Sequence, residues 1–455
     1  MARNRVIYQS EAIYVSQSGY AGDLTATSGF QGQGINRGTP YIAGAGPRDA
    51  VSDLHRVQSA NYSFSITRQD VNQFGELAAI DRIITDTPTV SFDTSYILAN
   101  FDNENKLGFR VTPSGGSTNT DANFVSCISG LIDSTTDAHQ KDYFILTSKE
   151  GSDAVDNLNT GKYESIIGIG NGFITSYSSE ASVGGLPTVS VGVEGMNMNY
   201  NSVATGTQID TTDAGEANAA GGYRGFRMGI ESTPLLSGIS GINPAIDPED
   251  GTSVDKYVVL PIADQNASGA GGGLISALRP GDITLSLIAG GGTNINEIMD
   301  SSETAANLLV GADVKDAHIQ SYTLSFDLSR TPIQQLGTRF AFARPVDFPI
   351  TASLSVDAVL ADLTTGSISD LINCDSSYDA VIKMKDPSLC GLTAADRPIA
   401  IAYLARDLKI DSESFTSSIG DNKSVTLDFT CQIGGPEQTN VGVFMSGWYN
   451  TQFNK

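Results

Sequence analysis

Polar and apolar residues alternate along residues 57–67, with Val57, Ser59, Asn61, Ser63 and Ser65 on one face and Tyr62, Phe64 and Ile66 on the other. A period of two is that of a half-buried β-strand. Residues 188–194 and 425–431 alternate in the same way, and 88–98 also read as strand. Between the first two of these runs, residues 68–87 are more polar and contain Arg68, Gly75 and Arg82. Asp70 to Ile80 fits one to three helical turns with Asp70 near the start. Gly75 keeps that helix short.

The pattern recurs. Residues 57–100 (VQSANYSFSITRQDVNQFGELAAIDRIITDTPTVSFDTSYILAN) align without a gap on 319–362 (IQSYTLSFDLSRTPIQQLGTRFAFARPVDFPITASLSVDAVLAD). Gln58, Ser59, Ser63, Phe64, Arg68, Gln73, Gly75, Arg82, Ser91, Leu98 and Ala99 return at the same spacing, beginning with Gln320 and Ser321 and ending with Leu360 and Ala361. Pro332 stands where Asp70 does, and Pro is tolerated in a first helical turn. A weaker pair follows: Ile174 and Ser176 open a strand–turn–strand stretch, as do Ile410 and Ser412. The chain order is therefore A, B, A′, B′. Short Ser-rich likenesses are common in β-proteins, a reading that stays open for B but not for A.

With 455 residues the chain exceeds a single core, and two tandem units are expected, 1–205 and 206–455, with the boundary inside 201–254. Hydrophobic residues make up 40% and charged residues 17%, enough apolar material for packed cores. The 48 Gly against 16 Pro point to many turns between short strands. The fold class expected is mainly β: two modules of packed antiparallel sheets, sandwich- or barrel-like, each with a short helix and long loops. Residues 101–125 and 201–254 read as polar loops, and 267–276 and 289–294 as Gly-rich ones.

Net charge is −24, from 27 Lys and Arg against 51 Asp and Glu. A sequence reader of nucleic acid needs a basic footprint, which is missing. Two readings of the acidity fit: it keeps the protein soluble, or it forms a wall along which a duplex slides without sticking. Residues 1–7 hold no apolar core of a signal peptide, and no run of membrane-spanning length occurs, so synthesis in the cytosol and no membrane insertion are expected.

Signals for chemistry are weak. His55, His139 and His318 are neither at helical ligand spacing nor set among carboxylates, and His55 and His318 lie just before the two A blocks, where a structural role is expected. Gly168, Gly170 and Gly172 lack the third spaced glycine and the helix of a dinucleotide turn. Asp247 to Gly251 lacks the alternating ligands of a calcium loop. Cys127, Cys374, Cys390 and Cys431 make no CxxC pair and read as thiols, a Cys374–Cys390 bridge being the alternative. Trp448 is the single Trp, which argues against a sugar-cleaving enzyme. No enzyme activity, cofactor or metal is expected.

Three stretches, RVIYQSEAIYVS (5–16), 54–83 and 172–198, resemble major tail proteins, the tail tube subunits of tailed bacteriophages. The resemblance covers roughly the first 200 residues and, through the repeat, 319–362, but not 201–318. It implies two packed antiparallel sheets and a helix per module. It also implies inner sheets joined into rings, and rings stacked into a virion tube that conducts double-stranded DNA without reading it. Two modules in one chain would close the ring as a pseudo-sixfold trimer rather than a hexamer. The candidate lumen or inner-sheet face is Ser59, Asn61, Ser63, Ser65, Ser321, Thr323, Ser325 and Asp327, with the ring exterior as the alternative place for it. The alternative function is another tail component, such as a tip, decoration or receptor-binding protein, which copy number in the virion would distinguish.

Overall fold

The structure is a computed structural model. It describes residues 11–16, 51–85, 89–113, 125–132, 141–148, 165–195, 197–202, 278–289, 317–333, 344–360, 377–385, 399–416, 424–435 and 438–447, with short pieces at 154, 162–163, 209–210, 245–246, 253–254 and 336. The protein is mainly β, built on large antiparallel sheets.

In chain order the first elements are β1 (Glu11–Ser16), β2 (Val51–Asp53), β3 (Val57–Ser65), β4 (Arg68–Val71), β5 (Asp81–Ile84), β6 (Thr89–Ile97), α1 (Asp102–Leu107), β7 (Val111–Pro113), α2 (Ser129–Ile132), β8 (Lys141–Thr147), β9 (Lys162–Tyr163), β10 (Ser165–Ser182), β11 (Thr188–Gly195) and β12 (Asn197–Ser202). There follow β13 (Ile209–Asp210), β14 (Ala245–Ile246), β15 (Ser253–Val254), β16 (Ile283–Ala289), β17 (Ala317–Asp327), β18 (Ile350–Leu360), β19 (Tyr378–Lys385), β20 (Ile399–Thr416), β21 (Ser424–Ile433) and β22 (Gly442–Gly447).

An inner array of eight strands runs in the order β3-β6-β11-β10-β17-β18-β21-β20. Outside it, the N-terminal part of β10 pairs with β8 and β12, and that of β20 with β19 and β22. Each of these 18-residue strands therefore belongs to two sheets. Bulges after Ile174 and Ile410 mark the passage from one to the other.

The pairing recurs along the array. β3 sets Val57 against Tyr96 and, past a bulge, Ser59 against Ser95; β17 sets Ile319 against Ala358 and, past a bulge at the same place, Ser321 against Asp357. Likewise Ile174 faces Val193 and Ser176 faces Gly192, as Ile410 faces Phe429 and Ser412 faces Asp428. The order β3-β6-β11-β10 thus returns as β17-β18-β21-β20, and the two blocks meet where β10 pairs with β17.

Alternation decides which side of the array is covered. Val90, Phe92 and Tyr96 of β6 are buried while Thr89, Ser91 and Asp93 are exposed, and β18 buries Ala352, Leu354 and Val356 in the same rhythm. The buried side meets the outer sheets through ring contacts, Phe92 on Tyr143 at 5.5 Å and Tyr378 on Phe429 at 6.5 Å. One cluster of buried side chains runs through the whole.

Two expectations need correction. Asp70 to Ile80 is not helical: β4 and β5 form a hairpin in which Asp70 lies opposite Arg82. Gly75 sits in the turn with φ +94°, a conformation that glycine adopts without strain and that interrupts a helix. Nor is 101–113 an open loop. Phe101, Leu107 and Phe109 are buried around α1, Gly108 caps that helix at φ +103°, and β7 pairs in parallel with β22. The boundary expected in 201–254 lies largely outside the described residues, as do His139, the 247–251 turn, Cys374, Cys390 and Trp448.

Truncation of Phe92 tests the core. Phe92→Ala is expected to lower unfolding stability by about 3–5 kcal/mol, read from urea denaturation.

Candidate functional site: the hydroxyl face of the inner array

On the side turned away from the core, hydroxyl side chains run straight across the strands. Ser59, Ser95, Ser190, Ser178, Ser325 and Ser353 are successive cross-strand partners on β3, β6, β11, β10, β17 and β18. Thr430 continues the row on β21 and Lys409 on β20. Serine hydroxyls both donate and accept, so neighbours bond to one another: Ser59 with Ser95 at 2.5 Å, Ser63 with Ser91 at 2.7 Å and Ser325 with Ser353 at 2.9 Å.

Acidic residues lie in the flanking rows. Asp357 accepts from Ser321 and Thr426, and Asp428 from Ser355 and Ser412. The Ser412 and Ser355 hydroxyls hold the Asp428 carboxyl below its ordinary range, because both bonds favour the charged form. Asp93, Glu180, Glu194 and Asp327 occupy the same face. Among the residues of these strands that pair on it, Lys409 is the one Lys or Arg. Arg344 pairs with one of these carboxylates, its Nη1 lying 2.8 Å from Glu194.

All eight candidate residues, Ser59, Asn61, Ser63, Ser65, Ser321, Thr323, Ser325 and Asp327, fall on this one face. Their opposite side differs between the two strands. In β17 it is core: Leu324 and Phe326 are 1% and 2% exposed. In β3 the matching Tyr62 and Phe64 are 41% and 47% exposed, because β3 ends the array and nothing described covers it.

Sequence reasoning missed a buried polar knot at the centre. Glu104 of α1 accepts hydrogen bonds from Tyr96 at 2.8 Å and Tyr177 at 3.3 Å, and the Tyr177 hydroxyl lies 2.7 Å from that of Tyr403. Burial pushes the Glu104 carboxyl up to about 7, with the tyrosine bonds working in the other direction. Phe101 and Phe109 on either side of a polar stretch were the available signal. His55 is tied to the same helix: Asn103 bonds both its backbone N–H and carbonyl, and Lys106 Nζ lies 2.9 Å from its Nε2. Gly168, Gly170 and Gly172 lie within β10. Cys127 and Cys431 are buried free thiols. Among the described residues no three His, Cys, Asp or Glu side chains gather as a metal ion requires.

No protein-family model and no curated protein matches the chain. Solved structures similar over part of it include the following three. A chain of the anti-feeding prophage baseplate is 10% identical over 27% of this chain and 76% of its own, with a TM-score of 0.20. A chain from the tail of an empty GTA particle is 17% identical over 26% and 81%, with a TM-score of 0.19. An Hcp protein is 10% identical over 36% and 98%, with a TM-score of 0.17.

Glu104 makes stability depend on pH. A carboxyl raised from 4.5 to about 7 on folding favours the folded state most below the lower value, and that advantage is lost as pH rises through the upper one. The unfolding temperature is therefore expected to fall between about pH 4.5 and pH 7, and Glu104→Gln to flatten that slope.

Proposed function

We propose that this chain is a structural subunit of a phage-type tail, whose copies join side by side into rings and stack into a tube that passes double-stranded DNA. One observation carries the reading: among the described residues the array of strands has an unpaired border at β3 and at residues 412–416 of β20, and one side that is hydroxyl-rich, acidic and almost without cations. Such a surface repels phosphates and offers them few cations to bind, which suits a conduit rather than a reader. The resemblance of residues 5–16, 54–83 and 172–198 to tail tube subunits supports the same reading.

The two blocks of the array are two copies of one module, and they favour three chains per ring. Neighbouring strands lie about 4.8 Å apart, so three chains of eight inner strands close a ring of twenty-four, roughly 115 Å around and about 37 Å across between backbones. Side chains reaching about 5 Å inward from each wall leave a channel of about 27 Å, which strand tilt widens. Two chains would leave about 14 Å by the same reckoning, too little for a duplex. The hydroxyl face, with Ser59, Asn61, Ser63, Ser65, Ser321, Thr323, Ser325 and Asp327, lines that channel. No catalytic step is part of this role. The tube belongs to the virion and is assembled in the host bacterial cytoplasm with other tail proteins.

Electron microscopy of the purified chain tests this. Tubes with three chains per ring and the serine row facing a central channel are expected. A lone closed particle, or rings with that row on the outside, would end the proposal.

A further inference from the structure

The joint between β10 and β17 has no counterpart among the described residues. There Ser176 lies opposite Asp327, Ser178 opposite Ser325 and Glu180 opposite Thr323. By strand order, register and bulge, β17 corresponds to β3, and the C-terminal half of β10 to that of β20. Yet among the described residues nothing pairs with the outer border of β3 or with that of residues 412–416. An unpaired border presents a row of backbone donors and acceptors ready for another strand.

The side chains on these borders match as the backbones do. At the internal joint Phe326 is covered by Tyr177, stacked at 5.3 Å, and by Phe109 at 6.2 Å. On the free borders Tyr62, Phe64 and Phe415 stand open, Phe415 at 54%. The other side of both borders carries small polar groups, Asn61, Ser63 and Ser65 on β3 and Ser412, Ser414 and Thr416 on β20.

We infer that β3 takes β20 of a second copy of this chain as its antiparallel neighbour, in the register of the β10–β17 joint. Ser412 then lies opposite Ser65, Ser414 opposite Ser63 and Thr416 opposite Asn61, and Phe415 comes beside Tyr62. The two borders differ, so the contact is heterologous and repeats until a ring closes. The inference rests on the tube reading for the size of that ring, and adds to it the strands, the partner and the register. The new joint is not a replica of the internal one. Glu413 stands where the internal joint has Tyr177, and Lys409 where it has Phe173. With fewer aromatic rings to bury, it is the joint that opens first, so rings come apart into folded chains before the chains unfold.

Cysteine pairs in the full chain test the register. Residues opposed across an antiparallel pair have Cα atoms about 4.5–5.5 Å apart, inside the span of a disulfide. Mild oxidation of Ser63→Cys/Ser414→Cys is expected to give a ladder of chain multiples on a non-reducing gel, ending at the number in the closed ring. Ser63→Cys/Ser412→Cys, shifted by two residues, should stay at the level of the parent chain. Tubes that form without the Ser63–Ser414 bond, or a stronger bond in the shifted pair, overturn the register and leave the tube reading standing. Cross-linked closed rings that never stack into tubes uphold the joint and overturn the tube. A bond within one chain, seen as a fast-migrating monomer, overturns the joint. Phe415→Asp adds a second reading: the exposed site keeps the fold, shown by an unchanged unfolding curve, while ring assembly is lost. Rings that survive Phe415→Asp undiminished overturn the apolar part of the joint.

Discussion

Backbone hydrogen bonding between β10 and β17 is the constraint on which the rest of the molecule depends. Seven successive residue pairs, from Ser176–Asp327 to Ser182–Ser321, join the two blocks into one array. A buried amide or carbonyl without a partner costs about as much as a lost hydrogen bond, so two sheets with open borders have good reason to meet. Side chains then seal the seam. Tyr177 stacks on Phe326, Phe109 closes on both, and Arg330 lies over Phe173 while bonding to the Leu131 carbonyl. The segment that follows β6 completes the union, since β7 extends the sheet of β22 and the Cys127 N–H donates to the Val443 carbonyl.

The array separates two environments across the thickness of a single sheet. Valines, leucines and aromatic rings fill one side, and hydroxyls and carboxylates the other. Period-two alternation alone gives that division. Several hydroxyls of that face bond sideways to one another, Ser59 to Ser95, Ser63 to Ser91 and Ser325 to Ser353. Among the carboxylates of the same face, Asp357 and Asp428 each accept two hydroxyl bonds. Polar groups on the covered side are another matter. Glu104, Tyr96, Tyr177 and Tyr403 bind together elements far apart in sequence, and a carboxyl buried there favours its neutral form.

Much of this arrangement was readable from residue pattern. The alternation at 57–65 and 188–195 marks strands, and the ungapped likeness of 57–100 to 319–362 foreshadows the recurring register. The eight candidate residues share a face because the strand period places them opposite Tyr62 and Phe64 on β3 and opposite Leu324 and Phe326 on β17. The hairpin of β4 and β5 was misread because Asp70 resembles a helix start, whereas it pairs across the hairpin with Arg82. α1 went unseen for the opposite reason. Its Asp102, Asn103, Glu104 and Lys106 are buried against tertiary partners, and polar residues in such a place imitate a surface loop. Exposure of Tyr62 and Phe64 was beyond reach of pattern as well, since it depends on β3 lying at the end of the array rather than on its own residues.

The two 18-residue strands give the protein an unusual mechanical character. Because β10 and β20 each run from an outer sheet into the inner array, the layers are tied by peptide bonds as well as by packed side chains. One layer cannot slide over the other without stretching covalent backbone or breaking a ladder at the bulges. Shear along the strand direction is therefore shared between layers, and the two yield together as a single laminate.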